Sequence, residues 1–238
     1  MRNQLPEVER EKILRLSQDE IFQETGREAL TYLKEVRKFD DATIKKFCLG
    51  YMPEGVHNIL GEKHELSGRI IFPIFDAYGQ LVAFSSRDWR KPKSFWHESF
   101  EKSQHLYALP LSKRFIIQCQ SAIMVEGEFD TMMLHQFGIE NAVGILGSSP
   151  QLYQIALLRR YCKEIYIVFD GDKAGKSAIE RVEECMADFA NAVIFDVKLI
   201  PVYLPDNLDP DDFLKQKGKN EFFELLKKSK QNYVERTQ

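Results

Sequence analysis

Two hydrophobic periods divide the chain. From Ser121 onward, short runs of β-branched and aromatic residues alternate with longer segments of helical spacing. The pattern predicts a strand over 121–125, a helix over Phe129–Phe137 that stops at Gly138, and a strand over 141–145. It continues with a helix over Gln151–Tyr161, a strand over 164–169, a helix over Ala174–Phe189 and a strand over 192–200. Four short apolar strands separated by helices of 9–16 residues imply an α/β fold with a four-stranded parallel sheet and right-handed crossovers. Asn220–Val234 predicts one amphipathic helix as a tail.

The first half reads differently. Residues 1–57 predict helices: one region with a capping box at Ser17 and Glu20, one helix over Arg27–Val36, and one over Asp41–Phe47 entered through Asp40, with Gly50 as a stop signal. From Gly68 the period shortens to that of strands, Arg69–Ile74 and Gln80–Ser86, joined through the hairpin signal Asp76-Ala-Tyr-Gly79. Pro73 places the first of these at an edge or a bulge. Residues 90–105 lack a period and predict a loop, and Leu106–Gln118 predicts a helix that closes a small α+β subdomain. The expected organisation is a basic α+β subdomain over 1–118, the parallel α/β domain over 119–215, and a helical tail over 216–238.

Composition adds one feature. The 238 residues are 44% hydrophobic and 29% charged, ordinary for a globular protein, and the net charge of −3 does not suggest a nucleic-acid binder. Between Arg69 and Arg114, however, eight basic residues face only four acids (Asp76, Asp88, Glu98 and Glu101), which suits a polyanionic substrate. The four cysteines form no C-x-x-C pair, so neither zinc nor a disulfide framework is expected. The amino terminus lacks an apolar leader and no stretch approaches the length of a membrane span; a cytoplasmic protein is expected.

The chemistry gathers behind two strands. Glu126 follows Ala122-Ile-Met-Val125, and Asp170 and Asp172 follow Ile165-Tyr-Ile-Val-Phe169. In open α/β sheets, sites form at such carboxyl ends. Converging carboxylates repel unless a divalent cation shares them, and hard oxygen donors suit Mg²⁺ or Mn²⁺. Phosphoryl or nucleotidyl transfer is the reaction class this implies. Gly171 and Gly175 let the backbone come close to a metal, and Asp172 serves equally well as a helix cap. Asp130 lies one turn after Glu126, where it can share that face or simply complement the helix dipole. Asp209 and Asp211 flank Pro210 after the fourth strand, in a composition that also forms turns. Phe95 and Trp96 can stack on an unpaired base or anchor a loop to the core.

The spacing Glu126-Gly-Glu-Phe-Asp130, then Asp170-Gly-Asp172, resembles the TOPRIM domain shared by primases, topoisomerases and some nucleases. Val125–Asp130, Leu146-Gly-Ser148, Phe169–Lys176 and Leu204–Asp211 are similar in order and spacing to DnaG-type primases. So are Phe47–Tyr51, Arg69–Ile74, Ala83–Arg87, Pro92-Lys93 and Phe100–Tyr107, and the likeness spans roughly residues 28–217. The resemblance implies a primase catalytic core that synthesises short RNA primers on single-stranded DNA from NTPs by metal-dependent nucleotidyl transfer. Glu126, Asp170 and Asp172 would be its catalytic acids. Glu126, Asp130, Asp170, Asp172, Asp209 and Asp211 would bind Mg²⁺ or Mn²⁺, two ions in all. Arg69, Arg87, Lys93 and Lys102 would contact nucleotide or template.

The departures from that family are the absence of its zinc-binding module, a shortened Lys93–Phe100 segment reading Phe95-Trp-His-Glu-Ser99, and little chain after Asp212. They imply a stripped core of phage or mobile-element type, partnered by a replicative helicase or a separate zinc-binding subunit. Two other readings stand beside it. One is a TOPRIM nuclease using the same acids on RNA or DNA. The other is a non-catalytic replisome module binding single-stranded DNA or a helicase.

Overall fold

The computed structural model describes residues 5–54, 66–91, 94–147, 149–171, 177, 196–205 and 207–237. It divides into two compact units, Met1–Glu101 and Lys102–Gln238.

The first unit is built on an antiparallel sheet in the order β1 (Gly50–Met52), β2 (Arg69–Phe75), β3 (Leu81–Arg87) and β4 (Phe95–His97). Among the described residues three α-helices precede it: α1 (Glu7–Glu20), α2 (Arg27–Thr31), which widens into a π turn over Tyr32–Val36, and α3 (Asp41–Lys46). Asp40 caps α3 as the sequence suggests, its carboxylate accepting from Thr43 N at 2.7 Å. Ser17 does not cap a helix. It lies inside α1, fully buried, and donates to Leu14 O at 3.0 Å. Gly50 does not stop a helix either; it opens β1. A Cβ there would stand 2.3 Å from Ser17 Oγ and 2.7 Å from the Ser17 carbonyl carbon, so α1 rests directly on a strand that only glycine can begin.

The β2–β3 hairpin forms where the alternation places it. β2 is interior in strand order, but its pairing with β1 covers Arg69–Ile71, so Pro73 lies beyond that ladder. The register shifts at Ile74/Phe75, immediately after Pro73. The segment expected as a plain loop contains β4, paired to β3 through Ser85↔His97, Ser86↔Trp96 and Arg87↔Phe95, and a 3₁₀ turn over Lys102–Gln104. A core of Ile13, Met52, Leu66, Ile71 and Phe84 fills the space between α1 and the sheet, with Trp96 and Leu81 packed against it. Buried Glu98 fastens the amino-terminal segment, accepting from Leu5 N (2.8 Å) and Phe84 N (3.3 Å) and pairing with Arg10 (3.4 Å).

The second unit holds the parallel sheet, in the order β6 (Ala142–Gly144), β5 (Ser121–Val125), β7 (Glu164–Phe169), β8 (Lys198–Tyr203). β5 and β7 are almost wholly buried, as continuous apolar runs in a two-sided sheet must be. Among the described residues its helices are α4 (Leu109–Cys119), α5 (Glu128–Gln136), α6 (Leu152–Arg159) and α7 (Pro210–Thr237). α4 packs on β5 and β6, so it belongs to this unit rather than closing the preceding one. Most of the expected helix over 174–189 and residues 192–195 of the expected fourth strand lie outside the described residues; β8 itself runs to Tyr203. The tail helix begins ten residues earlier than its periodicity suggests, at Pro210, and is interrupted at Gly218 (φ 81°). No helix among the described residues is long and apolar enough to cross a membrane.

Candidate metal centre and nucleic-acid interface

The parallel register puts the ends of β5 and β7 at one edge of the sheet, and neighbouring strands lie about 4.8 Å apart. Glu126 and Asp170, each the first residue past its strand, therefore emerge side by side, both half-buried. Asp130 stands in the first turn of α5. Its carboxylate folds back toward the strand end, with Oδ2 3.1 Å from where a Cβ on Gly127 would sit. That position satisfies the dipole reading and the shared-face reading together.

Two backbone constraints bring the acids that follow β8 to the same edge. Gly171 N donates to Leu208 O at 2.9 Å, tying the residue after Asp170 to the residue before Asp209. A side chain on Gly171 would meet Leu204 O at 2.6 Å, so the close passage of the two loops requires glycine. Asp209 then caps α7, accepting from Asp212 N at 2.6 Å, with Pro210 in the first helical position. Asp211 is completely buried, and the Lys215 ammonium lies 2.9 Å from both of its carboxylate oxygens.

Asp209, Asp211 and Asp212 each present an oxygen within 4.8 Å of the other two. A set of hard anionic donors, one of them buried against a cation, fits Mg²⁺ or Mn²⁺. Asp212 is absent from the sequence-derived set, although its signal was present as the last acid of Asp209-Pro-Asp-Asp212. Asp172 lies outside the described residues, as does Lys93.

The basic candidates divide between the units. In the first, Arg69 is engaged with its own sheet: Nε donates to Ser86 Oγ (2.8 Å) and Nη2 to Ser94 O (2.9 Å), which holds β4's leading turn against the hairpin. Arg87 lays its guanidinium over the Phe95 ring at 4.3 Å, a cation–π pair across the β3–β4 register. Phe95 is 51% exposed, whereas Trp96 turns inward onto the core. The two aromatic residues thus split the readings open to them: Trp96 anchors, and Phe95 presents a surface. In the second unit, burial pulls the Lys102 pKa below its ordinary value, and the nearby Glu128 carboxylate partly restores it. An ammonium held short of full hydration gains more from an anionic partner than a solvated one.

Comparison with known proteins supplies the context. Residues 61–113 match the family model described as DNA primase catalytic core, N-terminal domain, and residues 123–214 match the Toprim-like model. The chain is 32% identical over 233 residues to the DNA primase of Aquifex aeolicus, covering 86% of this chain and 45% of that protein. It therefore spans less than half the length of that relative. Among solved structures, the E. coli primase catalytic core superposes with a TM-score of 0.84 at 25% identity, covering 93% of this chain and 79% of that one. The DnaG primase catalytic domain bound to single-stranded DNA gives a TM-score of 0.83 at 24% identity, over 93% and 80%.

Proposed function

Because this chain belongs to the family of DnaG-type primase catalytic cores, we propose that it synthesises short RNA primers on single-stranded DNA by metal-dependent nucleotidyl transfer. The observation that carries this reading is the pairing of two different matches in one chain. The acidic sheet edge alone would serve a nuclease equally well. The basic hairpin segment, matched over 61–113 to the primase-specific domain, turns it toward polymerisation.

In this reading Glu126, Asp130, Asp170, Asp172, Asp209 and Asp211 hold two divalent cations. When bound, Mg²⁺ or Mn²⁺ lowers the pKa of the attacking 3′-hydroxyl and neutralises charge on the departing pyrophosphate. Glu126, at the end of β5, orients the hydroxyl or takes its proton. Lys102 and Lys93 pair with triphosphate oxygens or template phosphates. Arg69 stiffens the β4 turn, and Arg87 with Phe95 offers a flat cationic face to an unpaired template base, a contact that tolerates any sequence. A single-stranded DNA template and NTPs are thus its substrates, with a helicase or a zinc-binding subunit as companions in the cytoplasm. The single-stranded DNA held by the structurally similar DnaG domain supports the template assignment.

The test is to supply template, NTPs and Mg²⁺ or Mn²⁺ and resolve short RNA products. Wild type should make them, and Glu126→Gln and Asp170→Asn should not. Metal-dependent cleavage without NTP incorporation would instead establish the nuclease reading.

A further inference from the structure

Among the described residues, Lys215 brings a positive charge directly against the acidic edge. Three carboxylates, Asp209, Asp211 and Asp212, converge within 4.8 Å at the start of α7, and Asp211 has no exposed surface. A buried carboxylate among others is stable only if a cation compensates it. One turn later on the same helix face, Lys215 supplies that cation, with its Nζ 2.9 Å from both oxygens of Asp211. The ammonium donates to Oδ2 and lies equally near Oδ1, so it stands on the side of the carboxylate from which a divalent ion would be bound. Its 22% side-chain exposure leaves a path to solvent along which the flexible stem can withdraw.

We propose that Lys215 is a resident counter-cation of the metal centre: it neutralises Asp211 while no metal is bound and must swing away when a divalent ion enters, so it sets the centre's metal affinity. The inference rests on the metal-dependent reading above. It adds a positioning residue whose effect has the opposite sign from that of the acids. Loss of an acid weakens metal binding, whereas loss of Lys215 should strengthen it. A second consequence follows in the metal-free protein. Without Lys215 the repulsion among the three carboxylates rises, so the apo form should be less stable and metal should restore more than it does in wild type.

The experiment is a calorimetric titration of the full chain with Mn²⁺ and with Mg²⁺, paired with thermal unfolding in chelator and in saturating Mg²⁺. Lys215→Met keeps the stem and removes the charge; Lys215→Arg keeps a charge. Lys215→Met should bind Mn²⁺ at least about tenfold tighter than wild type, a change of ~1.4 kcal/mol. It should melt lower in chelator, with most of the loss recovered in Mg²⁺, while Lys215→Arg stays near wild type. Unchanged or weaker metal binding by a folded Lys215→Met overturns the proposal, as does a stability loss that Mg²⁺ fails to recover. Metal binding by neither protein overturns it too. If Lys215→Met fails to fold even in Mg²⁺, the lysine is a structural prop and the proposal falls. Absence of primer synthesis with these metal effects intact would count against the polymerase reading alone.

Discussion

Gly171→Ala tests the idea that the metal edge is assembled by the close passage of two loops. The added methyl carbon would sit 2.6 Å from Leu204 O and 3.2 Å from the Asn207 backbone. Carbon–oxygen contacts normally begin near 3.3–3.6 Å, so the loops must part by roughly 0.8 Å. Both obstacles are backbone, which cannot rotate away as a side chain would. Forcing an extra methylene into such a space costs about 1–3 kcal/mol. Stretching the Gly171 N–H bond to Leu208 O adds up to about 1 kcal/mol. At about 2–4 °C per kcal/mol for a domain of this size, the midpoint should fall by about 2–16 °C. The larger effect should be functional, since displacing Asp170 from Asp209 by nearly 1 Å can cost about 10²-fold in rate. Thermal unfolding in chelator, Mn²⁺ titration and primer synthesis measure the three. A variant that melts within 1 °C of wild type, in ~1 °C measurements, and binds Mn²⁺ as well would refute the claim that this passage positions the acids.

Three further outcomes are expected. Phe95→Ala should weaken single-stranded DNA binding by about 1–3 kcal/mol in fluorescence anisotropy while hardly moving the melting temperature; unchanged affinity would remove Phe95 from the interface. Trp96→Ala should do the reverse, lowering stability by about 2–3 kcal/mol through the cavity it opens against Ile13, Ile71 and Phe84. Asp88→Asn addresses pH. Burial acts to raise the Asp88 pKa, but hydrogen bonds and charge from Arg90, with Lys91, hold it below its ordinary value of 3.8. Its stabilising contribution is therefore present above pH 3.8 and lost as pH falls through the lower folded value. The variant should unfold more easily than wild type at pH 7, by about 1–2 kcal/mol in denaturant, and the gap should close in acid.

The parallel half of the molecule was the more legible. β5 spans the residues its apolar run suggests, and so does β7, because a strand buried on both faces has no tolerance for polar positions inside it. That also made Glu126 and Asp170 visible, as the first polar residues after such runs. The antiparallel half was harder. β1 and β4 have three residues each, too few to display alternation. Gly50 carries the composition of a helix stop, and only the pressure of α1 at Ser17 explains it as the start of a strand. Lys215 was invisible for another reason. An i,i+4 partner has meaning only once the helix start is known, and the Asp209–Pro–Asp stretch read as a turn.

Among the described residues β4 lies at the rim of its sheet, bonded to β3 alone. A rim strand can lengthen, shorten or change its side chains without altering the register of the strands inside it. Phe95 and Arg87 therefore occupy a part of the molecule that natural variation can rewrite cheaply, while Trp96 keeps the segment moored. Diversification of what such a core grips should accumulate at this rim, with the acidic edge left untouched.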